Sequence, residues 1–230
     1  MKMNKRYSAG IDVGGTKIRA VLWDGKRVIK AREFKTPKNL RAFKKLLGGI
    51  LKNYRVKKIG IGVPGAVLGN KILFCPNIKY LKNFDISQLR RRTSKLRLDN
   101  DARCFARAEL IGGTASKKNI LFLILGTGIG RAVARNSKVL KIKKLEYPEH
   151  WEKEYQKIRD SKNNCALAIF LVKHLKGRFK KYNPKLIIIG GGVTERRDFL
   201  AKFQKAAKLP VRKSKFSKNS AAIGTAMLFQ

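Results

Sequence analysis

The sequence predicts an α/β protein of two related lobes around a shared cleft, and three observations carry that expectation. The stretch SAGIDVGGTKIRAVLWDGKRV, residues 8–28, is an apolar strand ending near Asp12, a turn through Gly14-Gly15-Thr16-Lys17, and an alternating strand that reverses at Asp24-Gly25. The stretch NILFLILGTGIGRAVARNSKVLKI, residues 119–142, repeats that pattern, and Arg19-Ala20-Val21 matches Arg131-Ala132-Val133 at a constant offset of 112, so that Gly14 falls opposite Gly126. Around these hairpins, segments of helical period alternate with short buried strands. The expected lobes are residues 1–115 and 116–230, with a terminal helix placed to pack back on the first.

The elements follow in order. Residues 37–53 carry Leu40, Phe43, Leu46, Leu47, Ile50 and Leu51 at helical spacing. KKIGIGVPGAV is a strand that ends in a Pro64-Gly65 turn, and CPNIKYLKNFDISQLRRRTS reads as loop with a short helix. LRLDNDARCFARAELIG is a short strand, a polar turn and a helix of about ten residues. In the second half, PEHWEKEYQKIRD and NCALAIFLVKHLKGRFKKY are helical, LIIIGGG is a buried strand with a tight turn, VTERRDFLAKFQKAAK is helical, VRKSKF is a strand, and NSAAIGTAMLF is a terminal helix.

Composition narrows the class. With 230 residues, 43% hydrophobic and 9% aromatic, the chain is globular. No apolar run is long enough to cross a membrane, and MKMNKRYSAG lacks the apolar stretch of a secretory leader, so a cytoplasmic location and no membrane partner are expected. Cys75, Cys104 and Cys165 are far apart and form no CxxC pair, which argues for reduced thiols and against zinc. The net charge is +41, from 55 basic and 14 acidic residues. It is evenly spread: residues 1–115 carry 28 basic and 7 acidic side chains, and residues 116–230 carry 27 and 7. An arm that binds nucleic acid would be lopsided, so a basic solvated surface with weak, salt-sensitive polyanion binding is expected. The densest basic run is Arg90-Arg91-Arg92-Thr93-Ser94-Lys95.

The glycine turns carry chemistry. A phosphate loop of the GxxxxGK[ST] kind must run into a helix, as must a dinucleotide fingerprint; the spacing here differs and a hairpin follows. Glycines at 14, 15, 126, 128 and 130 still allow backbone amides to approach an anion closely. Thr16 and Thr127 add hydroxyls, Lys17 adds a cation, and Asp12 beside phosphates suits a hydrated magnesium ion. Ordinary tight hairpins are the other reading. Asp101 stands where a strand meets a helix start, ionised and placed to take a proton from a hydroxyl; capping by Asp99 or Asn100 explains the same stretch. Gly190, Gly191 and Gly192 suit either a nucleoside or a plain close turn.

Taken together, GIDVGGTKIRAV, IGIGVPGAV, PNIKYLKNF, NDARCFARAE, LGTGIG, IIIGGGV and AAIGTAML resemble, in order, the ROK family of sugar kinases within the actin-like ATPase superfamily. The resemblance implies a ribonuclease H-like duplication with ATP and magnesium in a nucleotide cleft between the lobes. It implies Asp12, Gly14, Gly15, Thr16 and Lys17 as the first phosphate loop and Gly126, Thr127, Gly128 and Gly130 as the second, with magnesium held by Asp12 through water. Gly190–Gly192 would lie near the adenosine. Asp101 would be the base on a sugar hydroxyl, with Asn100, Gly65 and Asn77 at the sugar.

The departures are local. The GExGH motif and the zinc-binding cysteines that usually follow the second loop are absent, so no zinc is expected. In their place stands KKLEYPEHWEKEYQK, where Glu149 and His150 either substitute for lost sugar contacts or open a helix behind Pro148. Arg103 replaces an asparagine and Arg131 a small residue, which would add charge near the cleft. The chain runs into its first strand without a helix-turn-helix, unlike the family's DNA-binding repressors. The expected function is ATP- and magnesium-dependent phosphorylation of a hexose or amino sugar. The rivals are a non-catalytic nucleotide-dependent binding protein, a kinase using polyphosphate, and a nucleic-acid-binding module. The expected partner is a small-molecule sugar, and a homodimer is left open.

Overall fold

The computed structural model describes residues 4–54, 56–89, 95–111 and 119–230. The basic run at 90–94 and the lobe boundary expected at 115/116 lie outside the described residues. The chain divides into two compact units, Met1–Ala108 with Asn219–Gln230, and Glu109–Lys218.

In the first unit, β1 (Asn4–Val13), β2 (Lys17–Trp23) and β3 (Val28–Lys35) form an antiparallel meander. Asp24 fixes the second reversal, because its Oδ1 accepts from the Lys26 and Arg27 amides at 2.8 Å while Gly25 takes φ +102°. Helix α1 (Leu40–Tyr54) is capped by Asn39, whose Oδ1 accepts from the Ala42 amide. Strand β4 (Val56–Val63) then pairs parallel with β1. A small hairpin of β5 (Ala66–Leu68) and β6 (Lys71–Phe74) follows the Pro64-Gly65 turn, a pair the sequence pattern did not reveal. Two 3-10 turns, Lys79–Leu81 and Ile86–Leu89, stand in place of the single short helix expected there. Strand β7 (Lys95–Asn100) runs into α2 (Asp101–Leu110) with no intervening turn. The sheet order is β3-β2-β1-β4-β7.

The second unit repeats this plan. Strands β8 (Ile120–Leu125), β9 (Ile129–Arg135) and β10 (Lys138–Val139) form the meander, and α3 (Glu152–Asp160) and α4 (Asn164–Tyr182) follow. Then come β11 (Leu186–Gly190), a 3-10 turn at Gly192–Glu195, α5 (Phe199–Ala207) and β12 (Val211–Lys213). The single helix expected from Val193 therefore begins only at Phe199. The sheet order, β10-β9-β8-β11-β12, matches the first sheet strand for strand.

Alternation along the strands sets the layers of each unit. Ala9, Ile11 and Val13 of β1 and Ile59, Ile61 and Val63 of β4 join Phe43, Leu47 and Leu51 of α1 in one apolar cluster. The intervening residues, Gly10, Gly60 and Gly62, face the other way and meet the last helix, α6 (Ser220–Ala226), which belongs to the first unit. There a Cβ on Gly10 would lie 1.9 Å from the Ala222 carbonyl oxygen, and one on Gly60 would lie 1.8 Å from that of Thr225. Helix α6 in turn meets α2 through Gly224, whose Cβ would lie 1.7 Å from the Cys104 carbonyl oxygen. In the second unit, Leu121, Leu123, Leu125 and Val133 pack with Tyr155, Leu167, Leu171 and Phe203.

The match at offset 112 holds only up to the turn. Val13 pairs with Ile18 across the first turn and Leu125 with Ile129 across the second, so the second turn is one residue shorter. Arg19 sits opposite Asp12, whereas its sequence counterpart Arg131 sits opposite Leu123 of the apolar cluster. A one-residue change sends every later side chain to the opposite face of the sheet.

Replacing Gly60 by alanine sets a methyl group against backbone that cannot yield. Gly60→Ala should lose about 2–4 kcal/mol by urea denaturation. Gly48→Ala, at a helical glycine with open space around its Cβ position, should be neutral or stabilising. Equal behaviour of the two variants would refute the close seating of α6.

Candidate functional site

The first unit gathers most of the residues expected at the chemistry. Asp12 stands near the end of β1 and Asp101 opens α2; both are partly buried. Burial pushes the Asp12 carboxyl up to about 7, with the charge of Asp101 adding and Arg19 opposing. Burial also pushes Asp101 up to about 6, against the pull of the Ala102 amide, which donates to its Oδ1 at 2.7 Å. Two carboxyls of raised proton affinity beside a glycine turn, the charge of one lifting the other, form a site where a cation or a proton is readily taken up.

Asn100, the last residue of β7, caps α2 by accepting from the Arg103 amide, and its Nδ2 donates to the Gly65 carbonyl at 3.0 Å. Gly65 has φ +134°, and a Cβ there would lie 2.1 Å from the Phe74 carbonyl oxygen, so the turn after Pro64 requires glycine. Gly15 packs against Asn77, whose Cβ lies 2.8 Å from where a Cβ on Gly15 would be. Asp12, Asp101, Asn100, Gly65, Gly15 and Asn77 thus lie on neighbouring turns of one unit. Cys75 is buried beside them, and its thiol is pushed up to about 12 by burial and by the charge of Asp101.

The first turn is braced from behind. The Thr36 hydroxyl donates to the Gly14 carbonyl at 2.7 Å, and the Thr36 amide donates to the Thr16 carbonyl. The Gly14 amide is itself taken by the Lys17 carbonyl at 2.9 Å. Thr16 is exposed at the tip. Lys17, expected at the phosphates, is ion-paired with Glu33 of β3, which also binds Arg19.

In the second unit, the turn between β8 and β9 comprises Gly126, Thr127 and Gly128, while Gly130 already lies within β9 opposite Ile124. Four side chains of α3, spaced as one helix face, hold this turn. Glu152 accepts from the Ile129 amide, the Tyr155 hydroxyl donates to the Gly126 carbonyl at 3.0 Å, and Gln156 donates to the Thr127 carbonyl at 3.1 Å. Arg159 donates to both carbonyls through Nη1, at 2.7 and 2.9 Å. Its remaining edge grips Asp160 in a bidentate pair. The sequence marks this face only by polar side chains at i, i+3, i+4 and i+7.

Gly190–Gly192 line a pocket of about 400 Å³ together with Thr194, Lys213, Ser214 and Ser217. Gly191, at φ +92°, packs on the end of β8, where a Cβ would lie 2.4 Å from the Leu125 carbonyl oxygen. The buried Glu109 carboxylate orders the far wall by accepting from the Ser214 hydroxyl at 2.7 Å and the Lys215 amide at 2.9 Å.

Two sequence-derived expectations need correction. Arg103 is buried and paired with Asp99, which also binds Arg107, so its charge is neutralised inside the unit. Arg131 is buried as well and pairs with Glu149, which Arg178 binds too. Glu149 is therefore held by two guanidinium groups, while His150 is exposed. Cys165 is exposed, unlike the buried Cys75 and Cys104.

Among the described residues no group of three or more His, Cys, Asp or Glu side chains is placed to hold a metal, and no helix is long and apolar enough to cross a membrane. One or two carboxylates completed by water and phosphate are enough for magnesium, and the Asp12–Asp101 pair fits that pattern.

Comparison with known proteins agrees with this architecture. The N-acetyl-D-glucosamine kinase of Citrobacter koseri is 31% identical over 140 residues, which cover 56% of this chain and 46% of that protein. The chain thus spans about half the length of the curated relatives it matches. Among solved structures, the inorganic polyphosphate/ATP-glucomannokinase of Arthrobacter sp. strain KM superposes with a TM-score of 0.83 at 22% identity, covering 97% of this chain and 98% of that one. A ROK family glucokinase from Streptomyces griseus, in complex with glucose and AMPPNP, gives 0.80 at 18%, covering 96% and 98%. These likenesses establish the actin-like ATPase fold. A sequence model described as the ROK family matches residues 8–142, more than half of the chain, and the chain belongs to that family.

Proposed function

We propose that this protein is an ATP- and magnesium-dependent sugar kinase that phosphorylates a hydroxyl of a hexose or amino sugar. The observation that carries this reading is the Asp12–Asp101 pair beside the first glycine turn. Asp101, with its proton affinity raised to about 6, is matched to accept a hydroxyl proton near neutral pH as that oxygen attacks the donor phosphorus. The Ala102 amide holds one of its oxygens and so orients the other. Asn100, tied to Gly65, and Asn77 against Gly15 fix the turns at which the sugar is expected. The turns at Gly14–Lys17 and Gly126–Gly130 receive donor phosphates, and the pocket at Gly190–Gly192 receives the adenosine. Asp12 would hold magnesium through water, and the metal, when bound, supplies charge neutralisation to the phosphoryl group. The names of the relatives, N-acetyl-D-glucosamine kinase, glucokinase and glucomannokinase, support a sugar as acceptor. Inorganic polyphosphate is a donor that the +41 charge would suit. The reading places the protein in the cytoplasm.

A second reading, nucleotide-dependent binding without turnover, is favoured by Glu149. That carboxylate stands in the segment that replaces the absent sugar-side motif, and it is committed to Arg131 and Arg178.

A coupled assay of ADP release over glucose, mannose, N-acetylglucosamine and N-acetylmannosamine separates the two. At least one sugar should stimulate release, and Asp101→Ala should lower kcat by about 10²–10⁴-fold. Absence of stimulation above the level of that variant would reject turnover, and calorimetric binding of ATP without sugar would then establish the second reading.

The carboxylate pair also sets a pH dependence of stability. The folded chain keeps protons on Asp12 and Asp101 that the unfolded chain has released above the ordinary value of 3.8. Stability therefore falls as pH rises from about 4 to about 7, and the cost is complete above that. Without metal, Asp12→Asn should melt about 5 °C above the parent at pH 8 and show no gain at pH 4. Magnesium should raise the melting temperature of the parent and leave that of Asp12→Asn unchanged. A variant less stable than the parent at pH 8 would contradict the cost of a buried charge at Asp12.

A further inference from the structure

The face of α3 that holds the second glycine turn has a consequence for anion binding. In a trans peptide the C=O and N–H point in opposite directions. The Gly126 carbonyl is directed at the Tyr155 hydroxyl and Arg159, so the Thr127 N–H points away from α3. The Thr127 carbonyl is directed at Arg159 and Gln156, so the Gly128 N–H points away as well. Two successive amides thus face the same side, the arrangement that makes an anion-binding concavity. Thr127 is exposed at the tip of the turn. The third amide, that of Gly126, is taken by the Gly128 carbonyl at 3.1 Å and closes the turn.

Arg159 is itself held on every side. Asp160 grips its Nε and one Nη2 hydrogen, its guanidinium lies 5.7 Å from the Tyr155 ring centroid, and its main-chain carbonyl accepts from Arg196. The cation behind the carbonyls polarises both peptides, so the outward N–H groups carry more positive charge than those of a free turn. In the first turn the neutral Thr36 stands in the corresponding position.

We propose that Arg159 is a positioning residue for donor phosphate. It sets the Thr127 and Gly128 amides toward the anion without touching it, and in this chain α3 does so from the segment in which the sugar-side and zinc motifs are absent. The inference rests on the reading of Gly126–Gly130 as a donor-phosphate loop. The ligand class is the phosphate chain, whether of a nucleoside triphosphate or of inorganic polyphosphate.

Calorimetry on the full chain with magnesium-AMPPNP and with inorganic tripolyphosphate tests it, alongside steady-state kinetics. Arg159→Ala should weaken binding of both probes by about 10–100-fold. Arg159→Lys, which keeps a cation able to donate to both carbonyls, should recover most of that loss. The donor KM should rise in parallel, with the sugar KM within about twofold of the parent and kcat within about threefold. Tyr155→Phe removes one hydroxyl and keeps the ring, so it reports even if Arg159→Ala fails to fold; it should weaken both probes by about 3–10-fold. Parent-like binding by Arg159→Ala, or by Tyr155→Phe when the alanine variant is unfolded, overturns the positioning role and leaves the kinase reading standing. A parent protein that binds neither probe overturns the donor-loop reading and this inference together.

Discussion

The close seating of α6 on a glycine-lined sheet face is the constraint from which the chemistry of the first unit follows. Gly10, Gly60 and Gly62 alternate with apolar residues on β1 and β4, and each lacks a side chain where α6 needs its space. The same face carries Asp12, two residues beyond Gly10, and Gly62 also lies against the Asp101 backbone. Dry packing next to this carboxylate withdraws water from it, and the second carboxylate opening α2 compounds the effect. A side chain at any of these glycines would force α6 away from the sheet and disturb the packing that raises the proton affinity of Asp12.

The second unit solves a different problem. Its apolar face includes a buried arginine, which must find a counter-charge inside the unit. Glu149 meets that need and binds Arg178 too, which ties the stretch before α3 to β9 and α4. Once the stretch is fixed, α3 lies against the glycine turn, and its polar face does there what the Thr36 hydroxyl and amide do in the first unit. The segment that leads into α3 thus serves the core and the turn at once.

Much of this was legible in the residues. The Asp24-Gly25 hairpin, the buried strand before Gly191 and the helix from Asn164 to Tyr182 follow from turn chemistry and period alone, and Asn163 caps that helix through its side chain. The places of Asp12 near a glycine turn and of Asp101 at a strand–helix junction were legible too. The meeting of Gly15 with Asn77, the brace from Thr36 and the grip of Arg159 were not, because each joins residues distant in sequence or directs a side chain at a main-chain carbonyl, which leaves no pattern of its own. Lys17 and Glu149 show the same limit: residue type announces a charge, but only the fold assigns its partner.

The unequal turns bear on how the two halves of the chain are compared. An alignment by letters pairs Arg19 with Arg131, yet one stands across from a carboxylate and the other lies in an apolar layer. The equivalence that respects strand pairing sets Arg19 beside Gly130. Grafts, chimaeras or ancestral reconstructions that join the halves by sequence identity would therefore invert a whole strand, whereas those that join them by ladder position would keep each layer intact.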